Sequence, residues 1–90
     1  MNKAVVSILG ADRIGIIAAV SGYLADNNIN ILDISQTIME EMFTMVTMVD
    51  LSGTPKPFDE IYDDMKKLGD KLGVTIQIQK TEIFDSMHKI

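Results

Sequence analysis

The chain has 90 residues, of which 47% are hydrophobic and 23% charged, a size and balance that fit one folded domain with one core and not a disordered chain. Thirteen acidic and eight basic residues give a formal net charge of -5, and the scattered cations argue against nucleic acid, whose affinity rests on clustered positive charge. Cysteine is absent, which excludes disulfides and thiolate chemistry.

The opening stretch MNKAVVSILGADR holds too short an apolar run for a signal peptide or a spanning helix. A cytoplasmic protein with no membrane partner is the expectation. Within it, Ala4, Val6 and Ile8 alternate with Val5, Ser7 and Leu9 up to Gly10, predicting a strand buried on both faces or lying at an interface. From Ile14 the period changes: Ile17, Val20 and Leu24 fall at helical spacing with Ile16 and Tyr23 beside them, and Asp26, Asn27 and Asn28 supply the stop.

The segment NILDISQTIM is rich in β-branched residues and reads as a second strand, with Leu32, Ile34 and Ile38 on one face and Asp33, Ser35 and Thr37 on the other. Glu40 and Glu41 interrupt the pattern before MFTMVTMVDL resumes it, so Met39 to Met42 form a hairpin turn into a third strand. The methionines at 39, 42, 45 and 48 then alternate between faces, a pattern for core and dimer packing and not for a convergent thioether metal site.

After the Gly and Pro cluster SGTPKP, the residues Phe58, Ile61, Tyr62, Met65, Leu68 and Leu72 draw one helical stripe that Gly73 ends. Gly69 within it is unfavourable by about 1 kcal/mol relative to Ala, which leaves close packing or a frayed last turn as its reason. The acidic run DEIYDDM reads as the solvated side of this helix. In VTIQIQK, Val74, Ile76 and Ile78 point inward and Thr75, Gln77 and Gln79 outward, a fourth strand with one wet face. A short tail over 82–90 carries Ile83, Phe84, Met87, Ile90 and the single histidine, His88. No second histidine or carboxylate pair stands near it at ligand spacing, so neither a metal site nor a cofactor is expected.

The order β-α-β-β-α-β predicts an α+β, ferredoxin-like domain over 1–90 with its core over 3–81: a four-stranded antiparallel sheet with two helices on one face. A strand that ends in glycine and opens a helix leaves free N–H groups at the helix N-terminus, where the dipole also favours an anion. The simpler reading of Gly10, Gly15 and Asp12 is a turn, close packing and a helix cap.

The stretch GADRIGIIAAVSGYLADNNINILDISQ resembles the ACT domain, a small-molecule-sensing module of amino-acid metabolism. Its D-R-P-G turn reads here Asp12-Arg13-Ile14-Gly15, and its G-V-N-I segment reads Asn28-Ile29-Asn30-Ile31. The likeness spans roughly residues 3–81 and is to the stand-alone bacterial members and to one half of the glycine-cleavage repressor. It implies a ligand, expected to be an amino acid, held between two subunits by the loop after the first strand of one and the start of the second strand of the other.

The implied ligand-binding residues are Gly10, Asp12, Arg13, Ile14, Gly15, Asn30 and Ile31. By position, Asp12 and Asn30 would meet the ammonium group, and N–H groups near Ile14, Gly15 and Ile16 the carboxylate. Gly10 stands where a serine-sensing relative carries histidine, and Ile14 replaces the usual proline. The expectation is a non-enzymatic homodimer that signals through a protein partner. The alternative is an interaction module with no ligand. Acylphosphatases share the order of elements and would use Arg13, but the adjacent Asp12 would repel a phosphoryl group. An RNA-binding module of this topology would need exposed aromatics beyond Phe43.

Overall fold

The computed structural model describes residues 2–11 and 15–81. The elements follow in the order β1 (Lys3–Ala11), α1 (Ile16–Asp26), β2 (Asn30–Met39), β3 (Met42–Asp50), α2 (Phe58–Leu72) and β4 (Thr75–Lys80). The four strands form one antiparallel sheet ordered β2-β3-β1-β4. This is the expected ferredoxin-like arrangement. The tail residues, His88 among them, lie outside the described residues.

Strand alternation separates the two faces of the sheet. Ala4, Val6 and Ile8 of β1, Phe43, Met45, Thr47 and Val49 of β3, and Ile76 and Ile78 of β4 are buried beneath the helices. Ile16, Val20 and Leu24 of α1 and Ile61 and Met65 of α2 complete this core. Burying each such side chain is worth roughly 1.5–3 kcal/mol. The other face carries Val5, Ser7 and Leu9, with Leu9 at 49% exposure, so β1 is covered on one face and not on two.

Three further expectations change. The buried stripe of α1 runs through Ile16 and not Ile17: residues 16, 20 and 24 span about 80° of the helix at about 100° per residue, and Ile17, about 20° beyond Leu24, sits at the border, 39% exposed. Tyr62 likewise lies outside the buried line Ile61-Met65-Gly69 of α2. A β-bulge between Ile31 and Asp33 takes Leu32 out of phase. Ile31, Ile34 and Ile38, paired with Val49, Thr47 and Phe43, therefore share the helix side.

The turns use the residues the sequence offers. Gly73 closes α2 at φ 75 in the left-handed region, and Gly15 stands before α1 at φ 94. Glu40 in the hairpin takes φ 56, a conformation a glutamate adopts only at a cost. Gly69 is explained by close packing: a β-carbon there would lie 2.8 Å from the Val74 carbonyl oxygen.

Candidate functional site

The loop between β1 and α1 is bracketed by two glycines with different duties. Gly10 pairs with Phe43 at the end of β1 and leaves no room for a side chain, because Val74 fills the space where one would start. Its lack of an imidazole is thus a packing requirement as much as a change of ligand chemistry. Gly15 is exposed, has open space around its β-carbon position, and owes its identity to its positive φ alone.

The first helical bond of α1 runs from the Ala19 N–H to the Gly15 carbonyl at 2.9 Å. The N–H groups of residues 16–18 precede it. No side chain caps them, and no acidic residue lies in the first turn, so among the described residues the positive end of the α1 dipole is uncompensated. Asp12, Arg13 and Ile14 lie outside the described residues.

Asn30 and Ile31 begin β2 at the opposite end of the sheet. Asn30 pairs with Asp50, which in turn pairs with Lys3, whereas Gly10 and Ala11 pair with Phe43 and Met42 at the hairpin end. Seven residue steps of β1, about 23 Å at roughly 3.3 Å each, separate the two ends. One chain does not bring the two halves of the candidate site together.

The whole of β2 is exposed. It is an edge strand, and neither helix covers it: Ile31, Ile34 and Ile38 are 37%, 44% and 58% exposed on the helix side. Tyr23 identifies the border of α1 that faces α2, since its hydroxyl reaches Asp64. Ile17, about 120° further around the helix at about 100° per residue, therefore borders the uncovered β2. The result is one apolar patch of Ile17, Ile31, Ile34 and Ile38.

A polar cluster between the helices escaped the sequence reading. The Tyr23 hydroxyl donates to Asp64 Oδ2 at 2.6 Å, and Lys56 Nζ donates to the same oxygen at 2.7 Å while lying 5.6 Å from the Tyr23 ring centre. The Lys56 and Tyr23 bonds hold the Asp64 carboxyl below its ordinary range. Burial, then the bond to Asp64, raises the Tyr23 phenol well above its own. Asp64 is thus not part of a purely solvated acidic face. Its partners come from 8 and 41 residues away, and no local pattern announces them.

Asp33 and Asp50 point to the helix-free face. Asp33 accepts the Ile34 N–H at 2.9 Å and Asp50 accepts the Ser52 N–H at 3.0 Å; the bonds from Ser52 hold the Asp50 carboxyl below its ordinary range. Two concavities are lined by described residues. A groove of about 340 Å³ runs between α2 and β4 past Tyr62, Lys66 and Asp70, and a shallower one of about 300 Å³ crosses the helix-free face at Ser7, Val46 and Gln77. Among the described residues no helix is long and apolar enough to cross a membrane.

Comparison with known proteins adds to this geometry. The family model described as ACT domain matches residues 2–79. A UPF0237 protein of Clostridium acetobutylicum is 50% identical over 88 residues, which cover 98% of this chain and 99% of that protein. The solved ACT domain protein from Streptococcus pneumoniae superposes with a TM-score of 0.83 at 40% identity, covering 92% of this chain and 93% of the other. A protein assigned as a glycine cleavage system transcriptional repressor shares the fold, with a TM-score of 0.78 at 21% identity over 89% of this chain and 46% of its own.

Proposed function

Because the chain belongs to the ACT-domain family, one of regulatory ligand-binding modules, we propose that it is a non-enzymatic, cytoplasmic homodimer that binds an amino acid across its subunit interface. The observation that carries this reading is the exposed edge strand β2. An edge strand with free N–H and C=O groups and uncovered isoleucines is a template for pairing, and β2 carries neither lysine nor proline to block it.

Antiparallel pairing of β2 with the same strand of a partner reverses its ends. The partner's start of β2 would then lie beside Ile38 and Met39, at the end of the sheet where Gly10 and Gly15 stand. The separation within one chain becomes proximity across two. In that arrangement the N–H groups at the start of α1, which no described side chain caps, meet the ligand carboxylate, and Asp12 with the partner's Asn30 meets its ammonium group. Gly10, Arg13, Ile14 and Ile31 shape the walls of the same site. A signal from this module passes to a protein partner.

A thermal-shift panel of the twenty amino acids tests the reading. A ligand at about 100 times its Kd adds roughly 2.7 kcal/mol per site, which is on the order of 10 °C for a domain of this size. A selective shift supports the sensor. A flat panel at millimolar concentration removes it and leaves the ligand-free interaction module.

A further inference from the structure

The second edge of the sheet is β4, at the end of the order β2-β3-β1-β4 away from β2. It pairs with β1 on one side only, so alternate N–H and C=O groups on its other side have no strand to bond among the described residues. The devices that blunt an edge are sparse here. From Thr75 to Gln79 the strand carries no charge, proline or bulge, and Lys80 alone stands at its end.

The groove of about 340 Å³ beside α2 lies along this edge. It touches every residue from Thr75 to Gln79, those of both faces of the strand, as a concavity along the open side of a strand does. Its other wall is Tyr62, Lys66 and Asp70, spaced by four and therefore on one line of α2, and all three are exposed. Val74 donates its N–H to the Gly69 carbonyl at 2.9 Å, and Lys80 Nζ lies 5.1 Å from the Phe58 ring centre, so α2 runs antiparallel to β4. Asp70 thus stands near the start of β4, Tyr62 toward its end and Lys66 between them. Among the described residues neither Lys66 nor Asp70 belongs to an ion pair.

We propose that a protein partner lays an extended segment into this groove as a strand antiparallel to β4, with an apolar, an acidic and a basic residue at alternate positions facing Tyr62, Lys66 and Asp70. Two spacings carry the match. Steps of four along a helix rise about 6.0 Å and steps of two along a strand about 6.6 Å, so successive side chains on one face of the added strand stay level with successive residues of the wall. A strand antiparallel to β4 runs in the direction of α2. Its order from the N-terminus is therefore apolar, any, acidic, any, basic. Backbone bonds to β4 supply the affinity, and the alternate side chains choose the sequence.

The occupant is a different protein and not a second copy. The order apolar, any, acidic, any, basic occurs once in the 90 residues, at Tyr62 to Lys66, and that stretch lies inside α2, where it cannot be offered as a strand. The groove also lies at the opposite edge of the sheet from β2, so a segment bound there leaves pairing through β2 untouched. The inference goes beyond the ligand reading and holds without it, because none of the residues assigned to the ligand lines this groove.

Titration of the full, ligand-free chain into a fluorescently labelled peptide, acetyl-TFTETKT-amide, followed by anisotropy, tests the proposal. Saturable binding is expected. Lys66→Glu combined with Asp70→Lys preserves the helix, because glutamate four residues before lysine is the favoured order; it weakens this peptide by about tenfold and tightens acetyl-TFTKTET-amide, in which the two charges are exchanged, by a similar factor. Two N-methylated forms of the first peptide separate strand addition from side-chain contact alone. Methyl groups on one alternate set of amides abolish binding and on the other set leave it intact, since only one set faces β4. An unchanged charge preference in the double variant, or two N-methylated peptides that bind equally, overturns the proposal. So does an absence of binding at millimolar concentration, the result to be seen if the chain's own residues or a second copy already fill the groove.

Discussion

A methyl group on residue 10 would lie 2.6 Å from Val74 Cγ1 and 2.9 Å from Val74 Cβ: Gly10 and Val74 occupy one packing position between them. The end of β1, from which the candidate loop departs, is thereby locked to the start of β4. Val74 is also tied to α2, through its N–H to the Gly69 carbonyl at 2.9 Å.

Gly10→Ala is expected to destabilise the fold by about 1–3 kcal/mol through overpacking, read by urea denaturation. Val74→Ala removes Cγ1 but keeps Cβ at 2.9 Å and Cα at 3.3 Å, so adding it recovers part of the loss, a coupling that a double-mutant cycle measures. Gly69→Ala behaves differently. Its neighbour is the Val74 backbone oxygen at 2.8 Å, so Val74→Ala brings no rescue despite the better helix propensity of alanine. Equal additivity in both pairs would contradict this packing.

The Tyr23-Asp64-Lys56 cluster predicts two pH effects of opposite direction. Asp64 has a lowered pKa in the folded state, so its contribution is present above the ordinary carboxylate range and is lost as pH falls through the folded value. Tyr23 has a raised pKa, so its contribution is present below the ordinary phenol value of about 10 and is lost as pH rises toward the folded one. Asp64→Asn should flatten the acid limb of the stability profile, and Tyr23→Phe the alkaline limb. Profiles parallel to the unmodified protein on both limbs would show that the cluster carries no linkage.

Glu40 at φ 56 holds a left-handed conformation that asparagine tolerates far better. Glu40→Asn is expected to stabilise the hairpin by up to about 1 kcal/mol, seen as a higher midpoint in thermal or chemical unfolding. A loss of stability would mean that the glutamate makes a contact worth more than its strain.

The β2 patch supplies a separate test of the proposed pairing. Ile34 is 44% exposed and opposite Thr47, so Ile34→Lys introduces no charge into the core of a single chain. It should separate the β2-paired dimer while leaving far-UV circular dichroism unchanged. A dimer that survives the substitution would place its contact elsewhere.

Much of the fold was legible because its cues are local. The period change at the first helix, the glutamate pair between two β-branched runs and Gly73 after the second apolar stripe each set a boundary by backbone chemistry or side-chain spacing. What escaped reading depends on partners distant in sequence. Nothing near Leu32 signals the bulge that turns it out of phase, and Ile17 or Ile16 could equally lead the α1 stripe until the sheet beneath it is known. Tyr23 meets Asp64 across 41 positions. The candidate site was legible only as a motif: Gly15 and the helix start follow from the residues, but Asn30 lies at the far end of the same sheet, and the proposed site would draw it from a second chain.

The most direct measurement uses that requirement. Asp12→Ala and Asn30→Ala chains, carrying different tags and co-purified as mixed dimers, are titrated with the amino acid that the thermal panel selects. Each variant alone is expected to bind nothing, while the mixed dimer binds one ligand per two chains, because one of its two sites draws an intact loop from one subunit and an intact Asn30 from the other. A mixed dimer as inert as its parents, beside an unmodified protein that binds, would place the whole site within one chain and contradict the shared one.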